Sequence, residues 1–273
     1  MSDTLTINEI YLSIQGESTF AGLPCIFVRL TACNLRCSYC DTSYAFTEGS
    51  KKTLAEIRKT INELTNPFSK IQIVAADVSR LIPNAERGTQ KAEFQSEPPH
   101  VGCYKLPLIE LTGGEPLLQK NSLPLMKSLC DDGFTVLIET SGALDISQVD
   151  PRVHRIMDLK CPSSGESKRN RLENIAHLKG TDEIKFVIGT QQDYDWAKQK
   201  ITEHLLAAIC PVLFSWVAPL QSHQQDKTLK RIPEGQTPIS CRELVEQITA
   251  DALPVRFQLQ MHKFIWPPDK KGV

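Results

Sequence analysis

Cys33, Cys37 and Cys40 stand close together with the spacing C-x3-C-x2-C in the stretch Cys33-Asn34-Leu35-Arg36-Cys37-Ser38-Tyr39-Cys40. Each thiolate of such a loop can bind one iron of a cubane iron–sulfur cluster. A cubane has four irons, so three thiolates leave one iron with an open coordination position. S-adenosylmethionine can fill that position through its amino and carboxylate groups. An electron from the cluster then breaks a carbon–sulfur bond and gives a 5′-deoxyadenosyl radical. Two plainer chemistries fit the same spacing. Three close cysteines hold structural zinc when a fourth ligand, such as His262 or Cys161, comes from elsewhere. They also serve as inert, buried thiols. Tyr39, just before the last cysteine, offers a ring that can lie against an adenine or against a core.

The elements that must position this loop follow from the apolar pattern. Short β-branched runs at 26–30, 108–112, 135–139, 154–158, 184–188 and 212–217, with a final one at 255–260, read as strands. Between them, 53–65, 121–132, 170–179, 192–209 and 241–250 read as helices. In the first of these, Leu54, Ile57, Ile61 and Leu64 share one face, and Thr53 with Glu56 has the pattern of a capping box. Strand–helix alternation at this spacing means crossover connections and a mostly parallel sheet. The repeats fall short of the eight that a closed barrel needs. The expected fold class is therefore α/β: a partial, open (β/α) barrel of about six parallel strands. It forms a single domain over 1–273, with an insertion at about 66–105 and a polar surface loop at 221–236.

Composition narrows the partners. The chain has 273 residues, 41% hydrophobic and 23% charged, close to the globular average. A net charge of −1 supplies no bulk field toward nucleic acid or membrane. The first residues lack the basic stretch and apolar core of a signal peptide, and no apolar run approaches the roughly 20 residues of a membrane helix. A cytoplasmic protein without nucleic-acid or membrane partners is expected. Nine unevenly spread cysteines argue for metal binding or burial rather than a disulfide framework. Outside the loop the cysteines show no metal spacing, and Cys130 and Cys210 read as packed hydrophobes. No Ser-His-Asp arrangement, P-loop or Rossmann fingerprint is present.

The cysteine loop, placed directly after the first strand, resembles the signature of the radical S-adenosylmethionine superfamily. Leu111-Thr112-Gly113-Gly114-Glu115-Pro116 resembles the second motif of that superfamily. Its glycines let backbone approach the methionine amino group, where a bulky residue blocks the way; taken alone, the same residues read as a tight βα turn. Glu139-Thr140-Ser141-Gly142 and Asp158-Leu159-Lys160 follow the third and fourth strands. Active sites of parallel barrels gather at such C-terminal strand ends. Ser141 can bond the methionine carboxylate, and Asp158 or Lys160 the ribose or carboxylate; each also reads as a helix cap or an ion pair. With Tyr39, Cys40, Asp41, Gly114 and Glu115 they make up the cofactor-binding set that the resemblance implies.

Ile10-Tyr11-Leu12-Ser13-Ile14-Gln15-Gly16-Glu17, Phe27-Val28-Arg29-Leu30, Cys40-Asp41-Thr42-Ser43-Tyr44-Ala45 and the C-terminal run from Gln258 to Trp266, with Lys271-Gly272-Val273, resemble the 7-carboxy-7-deazaguanine synthase family. The resemblance covers nearly the whole chain; residues 66–105 depart from it. It implies conversion of 6-carboxy-5,6,7,8-tetrahydropterin to 7-carboxy-7-deazaguanine with loss of ammonia, in the route to queuosine and related deazapurines. It further implies a 4Fe–4S cluster, S-adenosylmethionine, a magnesium ion at Thr42, a flavodoxin- or ferredoxin-type electron donor and a homodimer. Substrate is expected along Ile14, Gln15 and Gly16 and beside Glu17, Arg29, Thr112 and the terminal carboxylate of Val273.

These residues suit that chemistry. Arg29 can grip a substrate carboxylate with two parallel donors, a contact of roughly 1.5–3 kcal/mol. Gln15 and Glu17 offer the mixed donors and acceptors that a pterin edge needs. Magnesium favours hard oxygen ligands such as the Thr42 hydroxyl and a carboxylate. Lys185, inside the fifth strand, is expected in a barrel-interior salt bridge. Two other readings stand beside this one. A glycyl-radical activase shares the cluster and glycine motifs but does not need Gln15, Glu17, Arg29 and Thr42. A zinc-stabilised binding protein needs only the cysteines.

Overall fold

Nine strands pair into one sheet in the computed structural model, which describes residues 3–69, 106–217, 220, 226–267 and 270–272. They are β1 (Thr4–Ile14), β2 (Pro24–Leu30), β3 (Ser50–Thr53), β4 (Leu108–Gly113), β5 (Val136–Thr140), β6 (His154–Asp158), β7 (Glu183–Ile188), β8 (Val212–Trp216) and β9 (Arg256–Gln258). Their order is β3-β1-β2-β4-β5-β6-β7-β8-β9. From β2 through β9 every neighbour runs parallel, while β1 is antiparallel to both β2 and β3. The sheet is open, with β3 and β9 as its edges. The helices are α1 (Leu54–Ser69), α2 (Ser122–Asp131), α3 (Gln191–Glu203), α4 (Leu206–Ile209), α5 (Cys241–Ala250) and α6 (His262–Ile265).

Side-chain alternation along the strands separates two layers. One face of β2, β4 and β5 contributes Ile26, Val28, Ile109, Leu111 and Ile138 to the large core, which Ile57 and Ile61 of α1 and Leu125 of α2 complete. Fully burying one such aliphatic side chain contributes about 1.5–3 kcal/mol. The other face carries a smaller apolar floor of Cys25, Phe27, Leu108, Leu137 and Ile156. Continuing by twos toward the C-terminal strand ends, that inner face turns polar, with Arg29, Glu110, Thr112, Glu139 and Asp158. The sheet thus aims its charged inner residues at the ends from which the cluster loop and the glycine turn depart.

Several expected elements differ. The N-terminal segment, not read as a strand, forms the long β1, and the short β3 pairs with it. The expected open, parallel arrangement of about six strands is present, with seven parallel strands. The expected helix at 170–179 is a 3-10 turn at Leu172–His177, pinned by Asn174, which donates to Gly142 O (3.0 Å) and Leu144 O (2.7 Å). The helix expected over 192–209 breaks at Leu205, whose φ of 51° is left-handed, into α3 and α4. The capping box at the start of α1 is present: Glu56 N donates to Thr53 Oγ1 at 3.2 Å and Thr53 N to Glu56 Oε2 at 2.7 Å. Cys130 and Cys210 are packed in the large core. Of the expected insertion, 66–69 belong to α1 and 70–105 lie outside the described residues. No helix among the described residues is long and apolar enough to cross a membrane.

Candidate active site

One cavity of about 460 Å³ opens at the C-terminal ends of the parallel strands. Every expected site residue lines it except Glu115 and Val273; Val273 lies outside the described residues. Sequence reasoning placed the cysteines, Arg29 and the Gln15–Glu17 segment at one site, and the strands bring them together.

The cluster end is built from the loop after β2. Cys33, Cys37 and Cys40 are free thiols facing the cavity. Burial pushes the Cys37 thiol up to about 11 and, with help from Asp41, Cys40 up to about 12. A metal must therefore displace protons to bind here. The loop is seated by Ser38 N on Ser164 O (3.1 Å), Ser38 Oγ on Ser163 O (2.7 Å) and Arg36 N on Glu166 Oε1 (2.7 Å). Among the described residues, no three His, Cys, Asp or Glu side chains converge closely enough to hold one metal ion. Zinc requires that convergence, whereas a cubane takes each thiolate at a separate iron. Cys161, one candidate for a fourth zinc ligand, is wholly buried in the core and away from the cavity.

The glycine turn is demanded first by packing. A Cβ on Gly114 would meet Ala32 O at 1.9 Å and Cys33 Cβ at 3.0 Å, and one on Gly113 would meet Leu30 O at 2.3 Å. The turn lies against the root of the cysteine loop, a stronger constraint than the approach to methionine expected from sequence. Gly114 still borders the cavity. Glu115, expected to bind cofactor, instead turns into the protein. It is fully buried and accepts from Ser141 N (2.8 Å), Ser141 Oγ (2.6 Å), Thr140 Oγ1 (2.9 Å) and Leu117 N (3.1 Å). It ties the β4 turn to the β5 end and positions Ser141, which does reach the cavity.

Two polar atoms here lack partners. Tyr39 Oη and Asp158 Oδ1 are buried without a hydrogen bond, and both residues line the cavity. An unsatisfied buried group costs about 1–3 kcal/mol, so each of these atoms calls for a partner that the described residues do not supply. Asp158 Oδ2 accepts from Lys160 Nζ at 2.7 Å. The alternative ion-pair reading of these two residues is thus realised, inside the cavity rather than on the surface.

The opposite end is more highly charged. Arg29 donates through Nε to Glu9 Oε1 (2.7 Å) and through Nη2 to Tyr11 Oη (2.7 Å), between the Tyr11 and Tyr44 rings. With Nε and one Nη2 hydrogen so engaged, the guanidinium still has the Nη1 hydrogens and the second Nη2 hydrogen to offer a ligand. Lys185 pairs with Glu139 and with Glu17 Oε2 (3.5 Å), the interior salt bridge expected of it. Ser215 Oγ donates to Glu17 Oε1 at 3.0 Å, and Thr112 Oγ1 to Glu139 Oε2 at 3.1 Å. Thr42 Oγ1 donates to Asp41 Oδ1 (2.9 Å), and Asp41 Oδ2 accepts from Lys263 Nζ (2.6 Å). Burial alone would raise the Asp41 carboxyl, but Lys263 holds it well below the usual range. The C-terminal segment thereby clamps the cluster loop. Its helix α6 also covers Gly16, where a Cβ would meet His262 Nδ1 at 3.0 Å. Glu9, Tyr11, Tyr44, Glu110, Glu139 and His262 were not among the expected site residues, and all line the cavity.

The chain is 39% identical over 271 residues to the 7-carboxy-7-deazaguanine synthase of Koribacter versatilis, covering 98% of this chain and 100% of the relative. It is 38% identical over 272 residues to the synthase of that name from Chlorobaculum tepidum, covering 98% and 97%. Among solved structures, QueE from Escherichia coli superposes with a TM-score of 0.55 at 19% identity, covering 95% of each chain. Streptococcus suis SuiB bound to S-adenosylmethionine gives 0.52 at 12% identity, covering 84% of this chain and 48% of that one. These two show the fold. No family model matches the chain. Matched end to end with such relatives, the chain belongs to the 7-carboxy-7-deazaguanine synthase family of radical S-adenosylmethionine enzymes.

Proposed function

We propose that this enzyme converts 6-carboxy-5,6,7,8-tetrahydropterin to 7-carboxy-7-deazaguanine with loss of ammonia, a carbon–nitrogen lyase step on the way to queuosine and related deazapurines. The observation that carries the reading is the pairing, in one cavity, of a three-thiol loop with an arginine and two carboxylates at the other end. Cys33, Cys37 and Cys40 would hold a 4Fe–4S cluster. Tyr39, Gly114, Ser141, Asp158 and Lys160 would surround S-adenosylmethionine, where the unpartnered Tyr39 and Asp158 oxygens suit its amine and hydroxyl groups. When bound, cluster and S-adenosylmethionine supply the radical chemistry.

The chain's own residues hold the substrate. Arg29 takes the pterin carboxylate through Nη1 and the Nη2 hydrogen that Tyr11 does not use. Glu17 and Glu139, fixed by Lys185, Ser215 and Thr112, accept from the amino and ring N–H groups. The Thr42 oxygen, its proton directed to Asp41, would keep lone pairs for a magnesium ion held together with the pterin carboxylate. The same reading has a cytoplasmic homodimer supplied by a flavodoxin- or ferredoxin-type donor. An activase gives the cavity's Arg29 and Glu17–Lys185–Glu139 set no role.

Anaerobic reconstitution with iron and sulfide, then incubation with S-adenosylmethionine, reductant and 6-carboxytetrahydropterin, is expected to yield 7-carboxy-7-deazaguanine. Cys37→Ala is expected to abolish the product. Colourless protein with stoichiometric zinc, or brown protein that leaves the pterin unchanged, sinks the reading.

A further inference from the structure

Glu110 has no part in the chemistry above, yet it sits on the inner face of β4, 2% exposed, and lines the cavity. Its Oε2 accepts a hydrogen bond from Gln15 Nε2. Gln15 is 4% exposed, and its Oε1 accepts from Glu17 N at 3.1 Å. Both contacts agree on which end of the amide is nitrogen, because only the oxygen can accept from a backbone N–H. Glu110 takes one Nε2 hydrogen and leaves one to offer to a ligand.

We propose that Glu110 is a positioning residue for substrate selection: by accepting from Gln15 Nε2 it fixes the Gln15 amide so that its second N–H meets a hydrogen-bond acceptor on the substrate ring. The acceptor is a carbonyl oxygen or an unprotonated ring nitrogen, so the inference rests on the pterin reading. The surrounding charges agree with this role. Glu139, Glu17 and the Lys185 ammonium face Glu110, with Tyr11 and Cys25 as polar neighbours. Burial first, then the Glu139 charge, pushes the Glu110 carboxyl well above its usual range, against Lys185 and Gln15. Two carboxylates already outnumber the one ammonium. On this face the preceding positions hold Leu108 and Leu137, and Glu110 stands where that apolar floor gives way to polar residues. A carboxyl buried there is costly unless its hydrogen bond is used.

The test compares Glu110→Leu, which removes the acceptor, with Glu110→Gln, which keeps an acceptor oxygen. In reconstituted enzyme, Glu110→Leu is expected to raise KM for 6-carboxytetrahydropterin about tenfold with a much smaller change in kcat. Glu110→Gln is expected to restore KM to within about threefold of the wild type. Iron content and S-adenosylmethionine affinity report whether the fold is retained. A Glu110→Leu enzyme with wild-type KM overturns the inference. So does Glu110→Gln impaired as much as Glu110→Leu, or loss of iron and cofactor binding in both variants, which makes the residue structural. A wild type that does not turn over the pterin is a different failure: it removes the proposed function, and this inference with it.

Discussion

The two ends of the cavity are stabilised by different physics. At the cluster end, backbone packs on backbone: the Gly113–Gly114 turn lies within van der Waals reach of Leu30 O and Ala32 O, and the buried Glu115 carboxylate gathers N–H and O–H donors from the adjoining strand end. At the opposite end, one buried ammonium, Lys185 of β7, is shared by Glu17 and Glu139. The first arrangement tolerates no added atom. The second depends on one ammonium shared by two carboxylates. Substitutions at the two ends are therefore expected to fail for different reasons and to respond differently to pH.

The largest effect is expected at the glycine turn. Gly114→Ala places a methyl 1.9 Å from Ala32 O, which only movement of the cluster loop can relieve. A loss of about 4 kcal/mol or more is expected, the range of severe core overpacking and backbone strain, with failure to retain iron after reconstitution. Gly22→Ala is the control. Gly22 has a φ of 92° but nothing within 4 Å of the added atom, so it carries backbone strain alone, about 1 kcal/mol. Urea denaturation of the two variants separates packing from strain. Equal losses break the contrast between the ends.

Lys185→Met probes the other end. It leaves the Glu139 carboxylate without its ammonium, and breaking a buried pair costs about 3 kcal/mol. Burial by itself would raise the Glu139 carboxyl, and Lys185 holds it below the usual range. In the wild type this stabilisation is present above the unfolded-state value near 4.3 and is lost as pH falls through the folded value. Without Lys185, burial of the Glu139 carboxyl is opposed only by Lys160 and Thr112, so its folded value is expected to rise and the variant to lose stability relative to the wild type as pH increases. The stability gap between wild type and Lys185→Met is therefore expected to be wider at pH 8 than at pH 5. A gap independent of pH removes the charge argument.

The contrast also explains what could be read without a structure. The cysteines at 33–40 and the glycines at 113–114 each form a short local motif, so their spacing speaks directly. Glu110, Glu139, Lys185 and Ser215 sit on four different strands, and only the strand register brings them together. A faint signal existed: a lone charge inside an apolar run, as in Ile109-Glu110-Leu111 and Ile184-Lys185-Phe186, marks the inner face of a parallel strand. The strand β1 was missed for a specific reason. Its register shifts between Ile7 and Glu9, so the apolar alternation of Leu5 and Ile7 changes phase to Ile10, Leu12 and Ile14, and no single period fits the segment. The break at Leu205 has no sequence signature, since neither glycine nor proline marks it.

A smaller effect is expected where the two ends share a strand. Glu115→Gln exchanges one carboxylate oxygen for an amide nitrogen among donors. Oε2 has Ser141 N and Ser141 Oγ, and Oε1 has Leu117 N and Thr140 Oγ1. Either amide orientation sets N–H against N–H, at a cost of about 2 kcal/mol. Because Ser141 moves with it, S-adenosylmethionine affinity is expected to fall together with stability. Calorimetric titration and thermal unfolding of the same sample check the coupling. Loss of stability with unchanged cofactor affinity shows that Glu115 does not position Ser141.

Tyr39→Phe is expected to have the smallest effect, and it separates a ligand contact from a packing contact. Tyr39 belongs to the cysteine loop, and its hydroxyl is buried with no partner among the described residues. Removing an unsatisfied hydroxyl relieves a desolvation cost, so the ligand-free variant is expected to be no less stable than the wild type. With S-adenosylmethionine bound, the same hydroxyl gains a partner, and its removal is expected to weaken affinity about fivefold, the equivalent of about 1 kcal/mol. Stability and affinity therefore move in opposite directions, which a residue acting only through packing cannot produce. If Tyr39→Phe binds S-adenosylmethionine as tightly as the wild type, the orphaned oxygen marks no cofactor contact, and the cluster end is held by backbone packing alone.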